Sequence, residues 1–391
     1  MQQELSKHFD ATVFILRASP FHLGHKAVID QALKQSDKVI LLLGSANSGR
    51  TYRNPFTYHE RVRMIAETYN DDLNRIVFKP LDDYTYNNTV WVNTVQKLVH
   101  DEVYGRNTND KESKFVVVED SDTGRKTYTL EIDDKNIEDA SVILNNIKNE
   151  IINAKVKKIG LIGHSKDASS FYLNLFPSFG SIDVENYMGL NATDIRKNYF
   201  SNEQFDKNDT VPENVYNFLM EFKNTKEYKE ILDEYTFVQK YKDSWKSAPF
   251  PPVHVTVDSV VVQSNHVLLI ERKGFPGKGK WALPGGFLNQ DEELLDASIR
   301  ELKEETLLNI PEKILRSSLV KDEVFADPHR SSRGRTVTHA FFYKLNDQKD
   351  LPRVYGSDDA SKAFFVPLCE LRAEFMYEDH FHIIRKLTES I

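Results

Sequence analysis

Apolar positions come in short continuous runs along the first part of the chain. Residues 12–16 and 39–43 are two such runs of strand length, and 26–35 between them reads as a helix. The second run stops at Gly44-Ser45, so the three segments form a β-α-β pattern. Residues 76–78 and 159–162 add further buried strands, with helical stretches at 58–69, 90–99 and 137–154. Strands alternating with helices in this way imply a doubly wound parallel sheet. One segment breaks the alternation: 115–119 and 126–131 flank Ser121-Asp122-Thr123-Gly124 and read as a polar β-hairpin inserted into that sheet.

The pattern changes after a charged helical stretch at 213–242. Residues 248–252 hold three prolines, and new strands follow at 255–262 and 267–271. The expected division is a first domain over 1–245, a linker over 246–253 and a second domain over 254–391. A sequence of 391 residues agrees with two cores. Gly274 to Lys280 comes close to a P-loop. However, Trp281 stands where Ser or Thr is required, and Trp-Ala-Leu-Pro-Gly-Gly follows instead of a helix, so it is rejected as a nucleotide loop.

A formal net charge of −8 gives no broad basic field, which argues against nucleic acid as a partner. The lone Cys369 can form no internal disulfide, and no Cys/His spacing suggests zinc. No apolar run approaches the length of a membrane span, and residues 1–10 are polar and mixed in charge, so a cytoplasmic protein without a membrane partner is expected.

The densest chemistry lies downstream of Gly285-Gly286: Glu292, Arg300-Glu301 and Glu304-Glu305. At 100° per residue Glu301, Glu304 and Glu305 share one face of a helix, and Leu295, Ile299 and Leu302 form a separate apolar stripe. Crowded carboxylates repel one another, an arrangement that suits a hard cation held between their oxygens. Gly-x5-Glu-x7-Arg-Glu-Leu-x-Glu-Glu resembles the box of the Nudix hydrolases, which cleave a nucleoside diphosphate joined to another group. The family usually has glycine where this sequence has Leu307, so the turn ending the helix is expected to be built differently.

Directly after the first strand comes Arg17-Ala18-Ser19-Pro20-Phe21-His22-Leu23-Gly24-His25, where strand ends and a helix N-terminus favour a phosphate. The imidazoles of His22 and His25 can donate hydrogen bonds to phosphoryl oxygens, and Gly24 permits close backbone approach. Pro-Phe-His-x-Gly-His at this turn resembles the signature of the nucleotidyltransferase superfamily. The stretch from Asn54-Pro55-Phe56 to Glu60-Arg61 and Met64 resembles a recurring helix start of that superfamily. Asn191-Ala192-Thr193-Asp194-Ile195-Arg196 resembles its second phosphate motif, with Asn191 in place of the usual serine. Asp82-Asp83-Tyr84 with Trp91, and the segment from Gly163 through Lys166 and Asp167 to Phe171, resemble the branch of nicotinamide mononucleotide adenylyltransferases that carries a fused Nudix domain.

This resemblance implies a Rossmann-like nucleotidyltransferase sheet followed by a Nudix α/β/α sandwich. It also implies small-molecule substrates: ATP, nicotinamide mononucleotide and ADP-ribose. It gives His22, His25 and Arg196 to the reacting phosphates, and Arg17, Phe21, Gly24, Gly163, Lys166, Asp167 and Thr193 to substrate binding, with Trp91 stacked on the nicotinamide ring. In the second domain it gives Glu301, Glu304 and Glu305 to Mg2+, with Mn2+ as the alternative, and makes Arg300 the residue that orients them. Asp327-Pro328-His329-Arg330 and Arg333 to Phe341 resemble the segment of Nudix proteins acting on ADP-ribose, which assigns Arg330 and Arg335 to phosphates. Glu323, Glu374 and Glu378 are candidate bases. Three rival readings stay open: nicotinate mononucleotide or phosphopantetheine as acceptor, NADH as the Nudix substrate, and a Nudix domain that senses a ligand without turning it over. A homo-oligomer is also left open.

Overall fold

The computed structural model describes residues 8–105, 114–119, 126–131, 157–163, 175–185, 187–201 and 210–389. Within them the first sheet has five parallel strands: β1 (Phe9–Leu16), β2 (Ser36–Leu43), β3 (Ile76–Pro80), β6 (Ile159–Gly163) and β7 (Gly180–Asp183), in the order β3-β2-β1-β6-β7. The order turns back beside β1, which places a crevice at the carboxyl ends of the central strands. β4 (Lys114–Glu119) and β5 (Lys126–Glu131) pair antiparallel as the expected hairpin. The stretches 137–154 and 164–171 lie outside the described residues.

Alternation along the strands builds two cores. Phe14, Leu16, Val39, Leu41 and Leu43 point to one face, under α1 (Leu23–Gln35) and α2 (Tyr58–Thr68). Val13, Ile40 and Leu42 point to the other, against Val95 and Val99 of α3 (Asn88–Tyr104). After α4 (Ala192–Phe200), the stretch 213–242 that reads as one helical region is two helices, α5 (Glu213–Phe222) and α6 (Lys226–Ser244). The break follows from Thr225, whose hydroxyl accepts from the Tyr228 N–H and starts a new helix. β7 escaped the pattern reading because it is a four-residue edge strand with only Ile182 buried.

The second sheet is mixed, with seven strands. β8 (Val253–Gln263) pairs parallel with β13 (Arg335–Lys344) and antiparallel with β9 (His266–Arg272) and β11 (Gly285–Phe287). β10 (Trp281–Ala282) and β14 (Ala360–Pro367) flank β9, and β12 (Leu319–Phe325) flanks β13. Val257, Val261, Phe341 and Tyr343 face α7 (Leu294–Thr306) and α8 (Glu312–Ser317). Val260, Val262, Ala340 and Phe342 face α9 (His380–Thr388). This is a sheet between helical layers. The 274–280 loop leads into β10, so it lacks the helix a P-loop needs.

The two units meet over polar and aromatic contacts. Arg53 donates to the carbonyls of His329 (2.6 Å) and Ser331 (2.9 Å). The Tyr86 hydroxyl donates to Asp379, and the Tyr86 ring meets Phe325 edge-on at 4.8 Å. Glu234 of α6 accepts from the Gly277 N–H at 3.2 Å.

Candidate active sites

His22 is the N-cap of α1: its extended backbone lets Nδ1 accept from the His25 N–H, and His25 Nδ1 accepts from the His22 N–H, both at 3.3 Å. An Nδ1 that accepts carries no proton, so each neutral imidazole is a donor at Nε2. The rings stack with centroids 3.6 Å apart, and Phe21, fully buried, lies parallel to His25 at 5.9 Å. Phe21 therefore supports the imidazoles from the core. The space at Gly24 has a specific use: a Cβ there would stand 2.9 Å from His22 Cε1, so glycine lets the imidazole fold over the first turn.

Arg61 supports the crevice from below. Fully buried, it donates to the carbonyls of Arg17 (2.6 Å), Gly44 (2.7 Å) and Ser45 (3.1 Å), tying the ends of β1 and β2 together. Burial pushes its guanidinium down to about 10. Helix α2 holds it in place, starting with a capping box of Thr57 and Glu60, and Glu60 in turn receives both guanidinium nitrogens of Arg50 (2.6 and 2.8 Å).

Arg196 on α4 donates to the Ser19 carbonyl (2.6 Å) and the Thr193 hydroxyl (3.3 Å), so this helix is docked on the turn that carries His22. Asn191 caps α4, its side chain accepting from Asp194 N. Burial, with Arg17 and Arg53 nearby, lowers the Arg196 guanidinium to about 10. Arg17, Arg53, Thr193, Arg196, Lys197 and Lys242 line a cavity of about 520 Å³, to which His329 of the second unit also contributes. Concentrated positive charge of this kind suits a polyphosphate. Gly163 closes β6 and is buried, whereas Lys166 and Asp167 lie outside the described residues. Trp91 is half-buried on α3 with its ring 6.2 Å from Phe176, and it lines neither this cavity nor its neighbour.

The second site centres on Arg300. Its guanidinium grips Glu292 with two nitrogens (2.9 and 2.6 Å) and donates from Nη1 to Glu301 and Glu304, each at 2.9 Å. The hydrogen bonds from Arg300 hold Glu292 down to about 2. Glu305 is different. It is 3% exposed and accepts from the Gly285 N–H at 2.9 Å, and burial pushes its carboxyl up to about 8. Burial also raises Glu301, against the pull of Arg300. A Cβ on Gly286 would stand 2.5 Å from Glu301 Oε1, so the glycine pair lets the strand run against the acidic face. Among the described residues no three potential ligands converge into a closed cation cage. The donor set nonetheless fits a hard divalent cation: all are carboxylate oxygens, and Arg272 only partly offsets the cost of burying Glu305.

Two expectations are corrected here. Arg330 does not face a ligand: it is 7% exposed, and its Nε and Nη2 meet both oxygens of Asp379 at 2.9 Å, with Asp258 at 3.9 Å. A buried Asp379 consumes the guanidinium fork, so Arg330 is a structural ion pair. Leu307 ends α7 in the left-handed conformation (φ 48°), the one in which helices commonly place glycine, so the turn keeps that geometry without a glycine. Arg335 is exposed and donates to the Ala326 carbonyl at 2.8 Å. Of the candidate bases, Glu378 accepts from the Ser332 N–H (2.7 Å), Glu374 is exposed, and Glu323 lies on β12.

Sequence reading missed Asp258 and Arg272 beside this site. Asp258 accepts from Thr338 at 2.6 Å, and Arg272 stacks over Tyr377 at 4.3 Å. A polar Asp258 inside the apolar run of β8 was the available signal.

Residues 17–198 match the cytidylyltransferase-like family, and residues 252–387 match the NUDIX domain. A nicotinamide/nicotinic acid mononucleotide adenylyltransferase of Acinetobacter baylyi is 31% identical over 229 residues, 58% of this chain and 94% of the relative. An ADP-ribose pyrophosphatase of Methanocaldococcus jannaschii is 38% identical over 117 residues, 30% of this chain and 63% of the relative. The crystal structure of a bifunctional NMN adenylyltransferase/ADP ribose pyrophosphatase from Francisella tularensis, complexed with AMP and a Mn ion, superposes with a TM-score of 0.77. It is 31% identical, and the match covers 97% of this chain and 99% of that one.

Proposed function

This chain belongs to the family of bifunctional NMN adenylyltransferase/ADP-ribose pyrophosphatases, and we infer that it serves NAD metabolism with two reactions. The first transfers AMP from ATP to nicotinamide mononucleotide, giving NAD and pyrophosphate. The second hydrolyses ADP-ribose to AMP and ribose 5-phosphate. The observation that carries this reading is the match over nearly the whole of both chains, which includes both kinds of domain. We place the division at the 246–253 linker.

In the transfer, a 5′-phosphate oxygen of the acceptor attacks the α-phosphorus of ATP, and the bond to the bridging oxygen of pyrophosphate breaks. No residue need become covalently attached, so positioning and charge neutralisation suffice. His22 and His25 donate from Nε2 to oxygens of the reacting phosphates. Arg196, Thr193 and Arg17 hold the leaving pyrophosphate. Phe21 and Gly24 keep the imidazoles in place. Gly163, Lys166 and Asp167 belong to the acceptor side, whereas Trp91, which lines neither cavity, is assigned no contact with the substrate.

In the hydrolysis, Glu301, Glu304 and Glu305 hold the divalent cation, Mg2+ in our reading. When bound, it lowers the pKa of water and neutralises the diphosphate. Arg300 fixes Glu292, Glu301 and Glu304 relative to one another, and Arg335 offers a cation at the mouth. The Glu305 proton must leave before the carboxylate can ligate, so cation binding releases a proton. Nicotinate mononucleotide is the second acceptor reading, supported by the name of the Acinetobacter relative. The exposed free Cys369 agrees with a reducing cytoplasm.

The test gives the full-length protein ATP, Mg2+ and equal nicotinamide and nicotinate mononucleotides, then ADP-ribose in a separate reaction, and resolves the products by chromatography. NAD with pyrophosphate, and AMP with ribose 5-phosphate, are expected. Absence of both dinucleotides would refute the transfer, and intact ADP-ribose would refute the hydrolysis.

A further inference from the structure

The crevice at the ends of β1, β2 and β3 has two lobes that share Arg17, Tyr52 and Arg53. One is the cationic cavity beside Arg196. The other, about 180 Å³, has Ser45, Asn54 and Asp83 on the first unit's side. Its opposite side belongs to the second unit: Lys280, Ser332, Tyr377, Glu378, Phe381 and His382. His329 closes the first lobe in the same way.

We propose that the Nudix domain is the second wall of the adenylyl-transfer cleft, with Tyr377 and His382 facing the mononucleotide acceptor across from Asn54 and Asp83. Three observations carry this. The lobe opens where strand ends of a parallel sheet bind ligands, and it is continuous through Arg17 with the phosphate lobe. One buried polar atom of a lining residue, Asn54 Oδ1, has no hydrogen-bond partner among the described residues, and across the lobe the buried Tyr377 hydroxyl has only the Glu378 carboxylate beside it. Such atoms are costly to bury unless a ligand or water completes them. The wall is also fixed in place: Arg53, itself in the cleft, clamps the 329–331 backbone, and Tyr86 joins the buried Arg330–Asp379 pair immediately before α9.

Charge agrees with the assignment. Burial lowers the His382 imidazole, with Arg385 in the same direction, against Asp83 and Asp379, which favour its charged form. The ligand class is a phosphorylated nucleoside: Arg17 stands where the lobes meet and suits its phosphate, and the unpartnered Asn54 Oδ1 suits a hydroxyl or amide donor.

The proposal rests on the adenylyl-transfer reading, and its test separates the two. In full-length protein, His382→Ala and Tyr377→Phe are assayed for the KM of nicotinamide mononucleotide, the KM of ATP and the hydrolysis of ADP-ribose. The expected result is a rise of about fivefold or more in the mononucleotide KM, with the ATP KM held within about twofold. Retained hydrolysis reports a folded Nudix domain. If His382→Ala loses both activities through misfolding, Tyr377→Phe, which removes only the hydroxyl, decides. NAD synthesis by the wild type with an unmoved mononucleotide KM in Tyr377→Phe would overturn the wall. A wild type that makes no NAD would instead overturn the transfer reading.

Discussion

His380 is a buried imidazole whose Nδ1 accepts from the Leu283 N–H at 2.9 Å, and burial pushes its pKa down to about 3. The sign follows from proton counting: below the unfolded value near 6.5 the unfolded chain binds a proton that the folded one refuses. The stability this neutral histidine contributes is therefore full above pH 6.5 and is lost as pH falls toward 3. About 2 kcal/mol should go between pH 6.5 and 5. His380→Asn keeps an acceptor for Leu283 and should flatten that part of the curve, which denaturant titrations at the two pH values would read; an unchanged slope would contradict the account. Arg330 gives the complementary lesson. Its sequence neighbours, Asp327-Pro328-His329, look like a basic loop, and only the fold reveals that Asp379, 49 positions away, takes the guanidinium. By contrast Arg300, Glu301, Glu304 and Glu305 were legible because helical periodicity alone places them on one face.

Among the elements, α1 and α7 both owe their sites to how they begin or end. Gly24→Ala should improve helix propensity yet push the His22 ring aside, because the new Cβ would stand 2.9 Å from Cε1. Adenylyl transfer should fall about tenfold or more in kcat/KM with Tm unchanged, a split that would not appear if His22 were only a cap. Leu307 sits left-handed at 52% exposure, which costs roughly 1–2 kcal/mol relative to glycine. Glycine's larger unfolded-state entropy returns about 0.5–1 kcal/mol of that. Leu307→Gly should therefore stabilise by up to about 1 kcal/mol, and chemical denaturation showing a loss would refute the strain. The strands at 12–16, 39–43, 76–78 and 159–162 were readable because parallel strands buried on both faces stay apolar throughout. β7 and β14 were not, the first being a short edge and the second carrying exposed Ser361 and Lys362 near its start.

At the scale of the molecule, one chain holds two chemistries that meet over aromatic contacts, such as Tyr86 on Phe325 and Phe237 on Phe275, and directional polar ones: Arg53 on two carbonyls, Tyr86 on Asp379, Glu234 on Gly277. Nothing in the sequence pattern pointed to this interface, since its residues lie up to 302 positions apart and no local motif marks any of them. The identities of the two domains were legible, because each rests on a local motif at a strand-helix junction. Their contact depends on tertiary placement. The central claim is that the two reactions use separate groups, and it is tested most directly by assaying both activities in full-length His25→Ala and Glu305→Gln. The account predicts that His25→Ala loses NAD synthesis and keeps ADP-ribose hydrolysis, and that Glu305→Gln does the reverse. Hydrolysis surviving in Glu305→Gln, or NAD synthesis surviving in His25→Ala, would contradict it.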